Sequence, residues 1–557
     1  MKVAKVDEDD GGGIFGTIQI YYEKLLRWNL NRPYVLIITV IPLFILSLYG
    51  IGTLPFVFMP DSEKTVVSVN IELPIGTAIE KTDGIVKNIE DFIKSELFIS
   101  EEELKKQSEE LKKQSEQKHD GTPHAEGVVS WSSYVGKGAP KYDLGYSPPE
   151  ANSYSAHILI NTTSANVNQK VIDSLDEYCL NTFPDIKATI SRLKTGGGSS
   201  DPVAVRITGK DREELSLIVD SLKEEMRKVE GTRNVADDWG MAVKKFLVKI
   251  DPVKCQLAGI NNQDVAVSLQ TMLTGAKIGD FRDGDKVIPI TMINADYQTM
   301  TIESLESINV RAQDSDNNVP LRQVANIQII WEPAKILRRD LFKTMTVTSG
   351  LGSNYTASDV TKNILPWLEE ASKSWPEGYT FELGGESEDS GKAMGAVTDN
   401  LPLSFAIIVL LLIGQFNSLR KPAIVLLTIP LGLIGVVGGL IGAGSYFGFM
   451  AFLGVISLAG IVINNAIVLL DRIELEITEL GKKPGNAIVA AGSQRLRPII
   501  LTTLTTALGL IPLWLGGGLM WEPMAIGIIF GLLFATVLTL LFVPVLYKVF
   551  FRVNMAE

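Results

Sequence analysis

Apolar residues gather in one run near the start of the chain, Tyr34–Thr53, and in five more that crowd its last third. Those five are Leu401–Phe416, Pro422–Ser445, Phe449–Asp471, Pro498–Gly516 and Met524–Tyr547. A helix needs about 20 mostly apolar residues to cross hydrocarbon, and all six stretches reach or approach that length. The Leu401–Phe416 stretch borrows a turn from Ala396–Asn400. Six membrane-spanning helices are therefore predicted: one at 34–53 and five within 401–547. Ahead of the first, Ile18, Tyr21, Tyr22 and Leu25 recur at helical spacing, with Glu23, Lys24 and Arg27 between them. That pattern fits a helix lying along the membrane surface, or a polar leader helix.

Between the first and second spans the pattern changes period. Alternation over Thr65–Leu73 predicts a strand, Ala78–Leu97 a helix, Gly127–Tyr134 and Ser155–Asn161 two strands, Ser164–Asn181 a helix and Lys187–Leu193 a strand. This is the split βαβ order. A second round opens with Val203–Thr208 and Arg212–Val229 and closes with Thr344–Gly350, Ala357–Ser374 and Tyr379–Leu383. An insertion of about 253–339 interrupts it, with strands of its own at Lys286–Ile293 and Ser307–Arg311. The predicted fold class is a six-span α-helical membrane bundle plus an α+β domain of two ferredoxin-like βαββαβ subdomains, the second interrupted. Gly196–Ser200 reads as the flexible join between the subdomains. Glu103–Glu116 repeats ELKKQSE at a period of seven with one leucine per repeat. It reads as a solvated extension of the preceding helix, or as a coiled coil for a partner.

Basic residues orient the spans. Lys24, Arg27 and Arg32 precede the first, Arg420 and Lys421 separate the second from the third, Arg472, Lys482, Lys483, Arg495 and Arg497 lie between the fourth and fifth, and Lys548 and Arg552 follow the sixth. The other two short connections, Tyr446–Gly448 and Gly517–Pro523, carry no Lys or Arg. By the positive-inside rule both termini face the cytoplasm, with 1–33 as a cytoplasmic leader, 548–557 as a cytoplasmic tail and 54–400 on the outer side. Met1–Gly13 is acidic and glycine-rich, unlike a cleaved signal peptide, so the first span reads as a retained anchor.

The net charge of −12 argues against a nucleic-acid partner. The two cysteines, Cys179 and Cys255, belong to no metal or redox motif, and a disulfide between them is an open alternative. His119 and His124 flank a turn and read as surface residues. No phosphate-cradling loop, nucleophile–base pair or metal cluster is evident, so neither an enzyme nor a resident cofactor is expected. Trp131, Tyr134 and Tyr142 read as part of the outer domain's core, or as the lining of a drug path.

Polar groups at bilayer depth carry the chemistry, because they are costly there. Asn464 and Asn465 sit mid-way along the fourth span, Asp471 near its cytoplasmic end, Arg495 and Arg497 just before the fifth span, and Thr502, Thr503, Thr505 and Thr506 within it. The asparagines either hold neighbouring helices together or line a proton or water route. An amide has no side-chain proton to exchange near neutral pH, so the centre of the membrane lacks the carboxylate that proton coupling requires. Asp471 is the nearest acid.

These residues resemble a half of the resistance–nodulation–division (RND) efflux permeases, over nearly the whole chain. The motifs are Leu54–Asp61 (LPFVFMPD), Gln415–Pro422 (QFNSLRKP), Leu426–Gly435 (LLTIPLGLIG), Gly460–Asp471 (GIVINNAIVLLD), Arg495–Thr503 (RLRPIILTT) and Gly531–Tyr547 (GLLFATVLTLLFVPVLY). In that family the fourth span of the N-terminal half carries an acidic pair that cycles protons. The C-terminal half often has a lysine followed by asparagine at that place, where this chain has Asn464 and Asn465. The resemblance therefore implies the C-terminal half of a hydrophobe/amphiphile exporter driven by the proton-motive force. Arg495 and Thr502 match positions tied to the proton relay; otherwise they read as a membrane-edge anchor and a packing hydroxyl. It further implies an inner-membrane location with a periplasmic porter domain, a docking role for the insertion, a complementary half, a trimeric assembly, a periplasmic adaptor, an outer-membrane channel and small amphiphilic substrates. Metal cargo is disfavoured, because no tight methionine cluster marks the outer domain. Alternatives are a six-span accessory of protein secretion and a non-transporting assembly subunit.

Overall fold

The computed structural model describes residues 14–100, 126–143, 146–195, 201–240, 242–295, 302–312, 316–333, 335–352 and 355–554. The Glu103–Glu116 repeat, His119, His124 and the Gly196–Ser200 join lie outside them. The described residues form two units, Met1–Asp238 with Leu337–Glu557 and, separately, Trp239–Ile336.

The first unit opens with α1 (Ile14–Asn31), which breaks at Arg32, and α2 (Pro33–Thr53), with a proline in its first turn. The chain then enters an antiparallel sheet of β1 (Val66–Glu72), β2 (Val128–Val135), β3 (Ser155–Thr162) and β4 (Lys187–Arg192), in the order β2-β3-β1-β4. Two helices, α3 (Ile79–Phe92) and α4 (Val167–Thr182), connect the strands and cover one face. Alternate β1 residues Val67, Val69 and Ile71 are fully buried in a cluster with Ile85 and Ile89 of α3 and Val171 and Leu175 of α4. Strand period 2 meets helix period 3.6 across that layer. A second sheet begins with β5 (Val203–Gly209), α5 (Arg212–Lys228) and β6 (Thr232–Asp237). Asp211 caps α5 by accepting the Glu213 and Glu214 amides.

The second unit holds an antiparallel ribbon, β7 (Ala242–Ile250) against β12 (Ala325–Pro333). Between these lie α6 (Pro252–Ala258), α7 (Asn262–Leu273), the hairpin β8 (Ala276–Asp283) with β9 (Lys286–Met292), and the pair β10 (Asn309–Arg311) with β11 (Asn318–Pro320). The insertion thus starts earlier than the sequence suggested, at Trp239 rather than near Val253. Its first strand, β7, pairs with its last, and that pairing brings the two ends of the unit together.

The second sheet resumes with β13 (Phe342–Leu351), followed by α8 (Ala357–Ser372) and β14 (Thr380–Gly385), giving the antiparallel order β6-β13-β5-β14. Then come α9 (Glu386–Thr398), α10 (Leu401–Phe416), α11 (Arg420–Thr428), α12 (Gly432–Gly442), α13 (Phe449–Thr478), α14 (Pro484–Gly516) and α15 (Gly518–Phe551). Six helical stretches among the described residues are long and apolar enough to cross a membrane. The second extends back to Glu386, well beyond the expected start at Leu401. The third is broken at Ile429–Leu431, where Pro430 removes a helical amide donor.

Helix α15 is the hub: α12, α13 and α14 pack around it. Glycines allow the closest approach, since a Cβ on Gly435 or Gly439 of α12 would meet Phe530 of α15. Helix α1 seats on the same bundle through Tyr22, Leu26 and Leu30, which are buried, while Ile18, Tyr21 and Leu25 stay exposed. The face that the sequence marked as apolar is therefore, apart from Tyr22, the free one. The Tyr22 hydroxyl donates to the Leu540 carbonyl at 2.9 Å. The two cysteines are free and buried, and burial pushes the Cys179 thiol up to about 12.

Candidate functional site

The polar groups of the spans fall on α13 and α14, which pack against each other and against α15. Adjacent residues of a helix are turned about 100° apart, and the two asparagines accordingly have opposite surroundings. Asn465 is buried, and Asn464 is exposed. Around Asn464 the exposed positions of α13 are Ser457, Gly460 and Asp471, three and four residues apart or multiples of that spacing, so they form one stripe. Helix α14 exposes Pro498, Thr502, Thr505, Gly509, Pro512 and Gly516, beside exposed Leu501, Leu504, Leu508 and Leu515. Elsewhere the bundle presents Ile38, Ile45 and Leu46 of α2 and Leu403, Leu410 and Leu411 of α10. Those side chains suit lipid, whereas a row of amide, carboxylate, hydroxyl and glycine does not.

The structure joins none of the expected relay residues to one another. The Thr502 hydroxyl donates to the Ile499 carbonyl of its own helix at 2.9 Å. Its neighbour Thr503 instead makes the buried interhelical contact, to the Thr536 hydroxyl of α15 at 2.7 Å. Arg495 is half-buried, and its Nε has no hydrogen-bond partner among the described residues. Asp471 is exposed one helical turn before a charge network that the sequence showed only as basic flanks. There Glu476, fully buried, takes Arg472 at 2.6 Å and Lys482 at 2.8 Å. Lys421, also buried, reaches Glu474 at 2.5 Å. The i,i+4 spacing of Arg472 and Glu476 was the available signal for the first of these; no local spacing links Lys421 to Glu474.

In the sheet-bearing part of the same unit, a cavity of about 190 Å³ is lined by acids and bases together, among them Asp61, Asp176, Glu386, Arg192, Lys194 and Arg233. Burial pushes the Asp176 carboxyl up to about 6, against the pull of Arg233, whose guanidinium lies 3.5 Å away. On β3, His157 is buried with its Nδ1 2.7 Å from the Asn70 side-chain oxygen and its Nε2 3.3 Å from the Tyr142 hydroxyl. Tyr142 stacks on Tyr146 at 4.5 Å, and both rings lie against that of His157, so two aromatics of the sheet-bearing part roof a histidine. Desolvation lowers the His157 pKa to about 4. No group of three or more His, Cys, Asp or Glu side chains among the described residues is arranged to hold a metal ion.

Comparison with known proteins places this architecture. The cobalt-zinc-cadmium resistance protein CzcA of Cupriavidus metallidurans is 27% identical over 365 residues, 64% of this chain and 34% of that protein. The cation efflux system protein CzcA of an Alcaligenes species matches to the same extent, 27% over 365 residues. Two crystal forms of a heavy metal efflux pump share the fold, with a TM-score of 0.73 each, at 21% and 20% identity. They match 97% of this chain and 52% and 53% of their own, so the chain spans about half the length of those pumps. The family described as AcrB/AcrD/AcrF matches residues 11–114 and 161–551. With its motifs and its six apolar helices all falling inside that match, the chain belongs to the AcrB/AcrD/AcrF family of RND efflux permeases.

Proposed function

We propose that this chain acts as one half of a proton-driven RND efflux permease, of the C-terminal type, and that a complementary half covers the polar face of α13 and α14. The observation that carries this reading is the row Ser457, Gly460, Asn464 and Asp471, exposed as one stripe on α13, whereas α2 and α10 present mainly leucine and isoleucine. Lipid does not satisfy an amide, whereas a facing helix does. The partner half would supply the acidic pair that Asn464 and Asn465 do not provide, with Arg495, Thr502 and Asp471 at the edge of its proton route. The working unit would be a trimer of such pairs in the inner membrane, joined to an adaptor and an outer-membrane channel. The two sheets, in the order β2-β3-β1-β4 and β6-β13-β5-β14, support the split βαβ plan for a periplasmic porter, and Trp239–Ile336 is its docking part.

Two cargo classes are in play. Amphiphilic compounds follow from the motif resemblance, and divalent metal cations are favoured by relatives named for cobalt, zinc and cadmium. Everted membrane vesicles test both, with ethidium in one arm and Co²⁺, Zn²⁺ and Cd²⁺ in the other. Uptake driven by a proton gradient is expected only when this chain and a complementary half are co-expressed. Proton-driven uptake by this chain alone would refute the division of labour.

A further inference from the structure

The motif Leu54–Asp61 has no role in the site described above, and its surroundings supply one. We infer that 54–65, the segment between α2 and β1, is a coupling strap that delivers displacement of α13 and α15 to the first sheet, with Glu63 and Glu386 as its positioning residues.

The strap contains no regular strand or helix, yet its backbone groups are engaged one after another by different elements. Near its start the Phe447 amide donates to the Pro55 carbonyl at 3.0 Å, and the Val57 amide donates to the Phe447 carbonyl at 3.2 Å. The Phe449 amide, at the first residue of α13, donates to the Phe58 carbonyl at 3.4 Å. The Phe58 ring is buried 5.8 Å from that of Phe449, and the Phe58 amide donates to the Glu386 carboxylate at 3.0 Å, at the head of α9. Five residues on, the Glu63 carboxylate accepts the Leu519 amide at 3.2 Å and so caps the first turn of α15. The far end is fixed to the sheet: the Ser62 amide donates to the Leu193 carbonyl at 2.7 Å, and the Thr65 carbonyl accepts the Thr162 amide at 2.9 Å.

Two glycines show how close the fit is. A Cβ at Gly448 would collide with the Val57 carbonyl, and one at Gly518 would collide with the Glu63 carboxylate. Gly518 also has a φ of +73°, a conformation that other residues adopt only with strain. Pro55 and Pro60 fix φ at two points of the strap and stiffen it. A stiff segment bonded at its start to α9 and α13 and at its far end to α15, β3 and the residue after β4 cannot let these helix ends shift without moving the sheet or breaking these bonds. Helix α13 is the one that carries Asn464, so the strap leads from the proposed partner face to the cavity lined by Asp61 and Glu386.

Residue-resolved hydrogen exchange on the full chain in nanodiscs tests this independently of transport. Glu63→Ala removes an acceptor from Leu519 only. If the strap opens as one unit, exchange should rise tenfold or more at Val57, Phe58, Ser62, Phe447 and Leu519 together, and Gly448→Val should give the same set from the other end. Lys64→Ala, which loses an ion pair with Asp143, should leave that set unchanged. A rise confined to Leu519 in Glu63→Ala and to Val57 in Gly448→Val would overturn the strap and leave two local contacts. The second arm rests on the transport reading: with a complementary half present, Glu63→Ala should cut ethidium or Zn²⁺ uptake at least tenfold at unchanged protein level and half-saturating concentration, and Glu63→Asp should restore it. Normal uptake by Glu63→Ala would also overturn the proposal. If the wild-type pair moves neither probe, the transport reading fails and the exchange arm alone decides the strap.

Discussion

Replacing Asn464 by leucine separates a partner contact from an internal one. The side chain is exposed at bilayer depth on α13, and no hydrogen bond holds it within the described residues. Within this chain the change removes nothing, so the lone chain should keep its stability to within about 0.5 kcal/mol. Across an interface the amide can donate and accept at once. Interhelical hydrogen bonds in membranes average about 0.6 kcal/mol and reach about 1.7. One to two such bonds give about 1 to 3 kcal/mol, which at 1.4 kcal/mol per tenfold weakens association about 5- to 150-fold. Titrating a fluorescently labelled complementary half into nanodiscs that hold the wild-type or Asn464→Leu chain measures that ratio, and thermal unfolding of the lone chain supplies the baseline. Leu410→Asn on α10, whose exposed face is apolar, should leave association unchanged. Equal affinity of wild type and Asn464→Leu, or an equal loss from Leu410→Asn, would refute the assignment of this face to the partner.

Acid should act on the sheet-bearing part through two opposed groups. His157, held down at about 4 by burial, takes up its proton in the unfolded chain first, so its contribution is complete above about pH 6.5 and is lost as pH falls toward 4. Asp176, pushed up to about 6, protonates first in the folded chain and adds stability as pH falls from about 6 to 4. Thermal unfolding at pH 7 and pH 5 should therefore show a smaller acid loss in His157→Gln and a larger one in Asp176→Asn; the reverse order would contradict the burial of these groups. In the bundle, Gly435→Val would place a Cβ 2.5 Å from the Phe530 carbonyl and should destabilise by about 1–3 kcal/mol through overpacking. Gly438→Val on the same helix meets nothing within 4 Å and should melt close to wild type.

The sequence by itself determined that six helices seek lipid and that strands and helices alternate between the first two, because hydrocarbon demands long apolar runs and sheets impose a period of two. It also determined the family, through motifs such as Gly460–Asp471 and Arg495–Thr503. It did not determine which apolar face is packed. Lipid and protein interior are equally apolar, so periodicity shows that α1 has an apolar face without saying that Tyr22, Leu26 and Leu30 meet the bundle while Ile18, Tyr21 and Leu25 do not. The same ambiguity separates Asn464 from Asn465, identical residues whose exposure depends on which side of α13 its neighbouring helices pack. The insertion boundary at Trp239 depended on β7 pairing with β12, some 80 residues on, and no local pattern encodes such a pairing. The contacts of Lys421 with Glu474, Thr503 with Thr536 and Glu63 with Leu519 likewise join residues distant in the chain. Only the tertiary fold brings those pairs together, because each needs two elements packed in one register before its polar groups can meet.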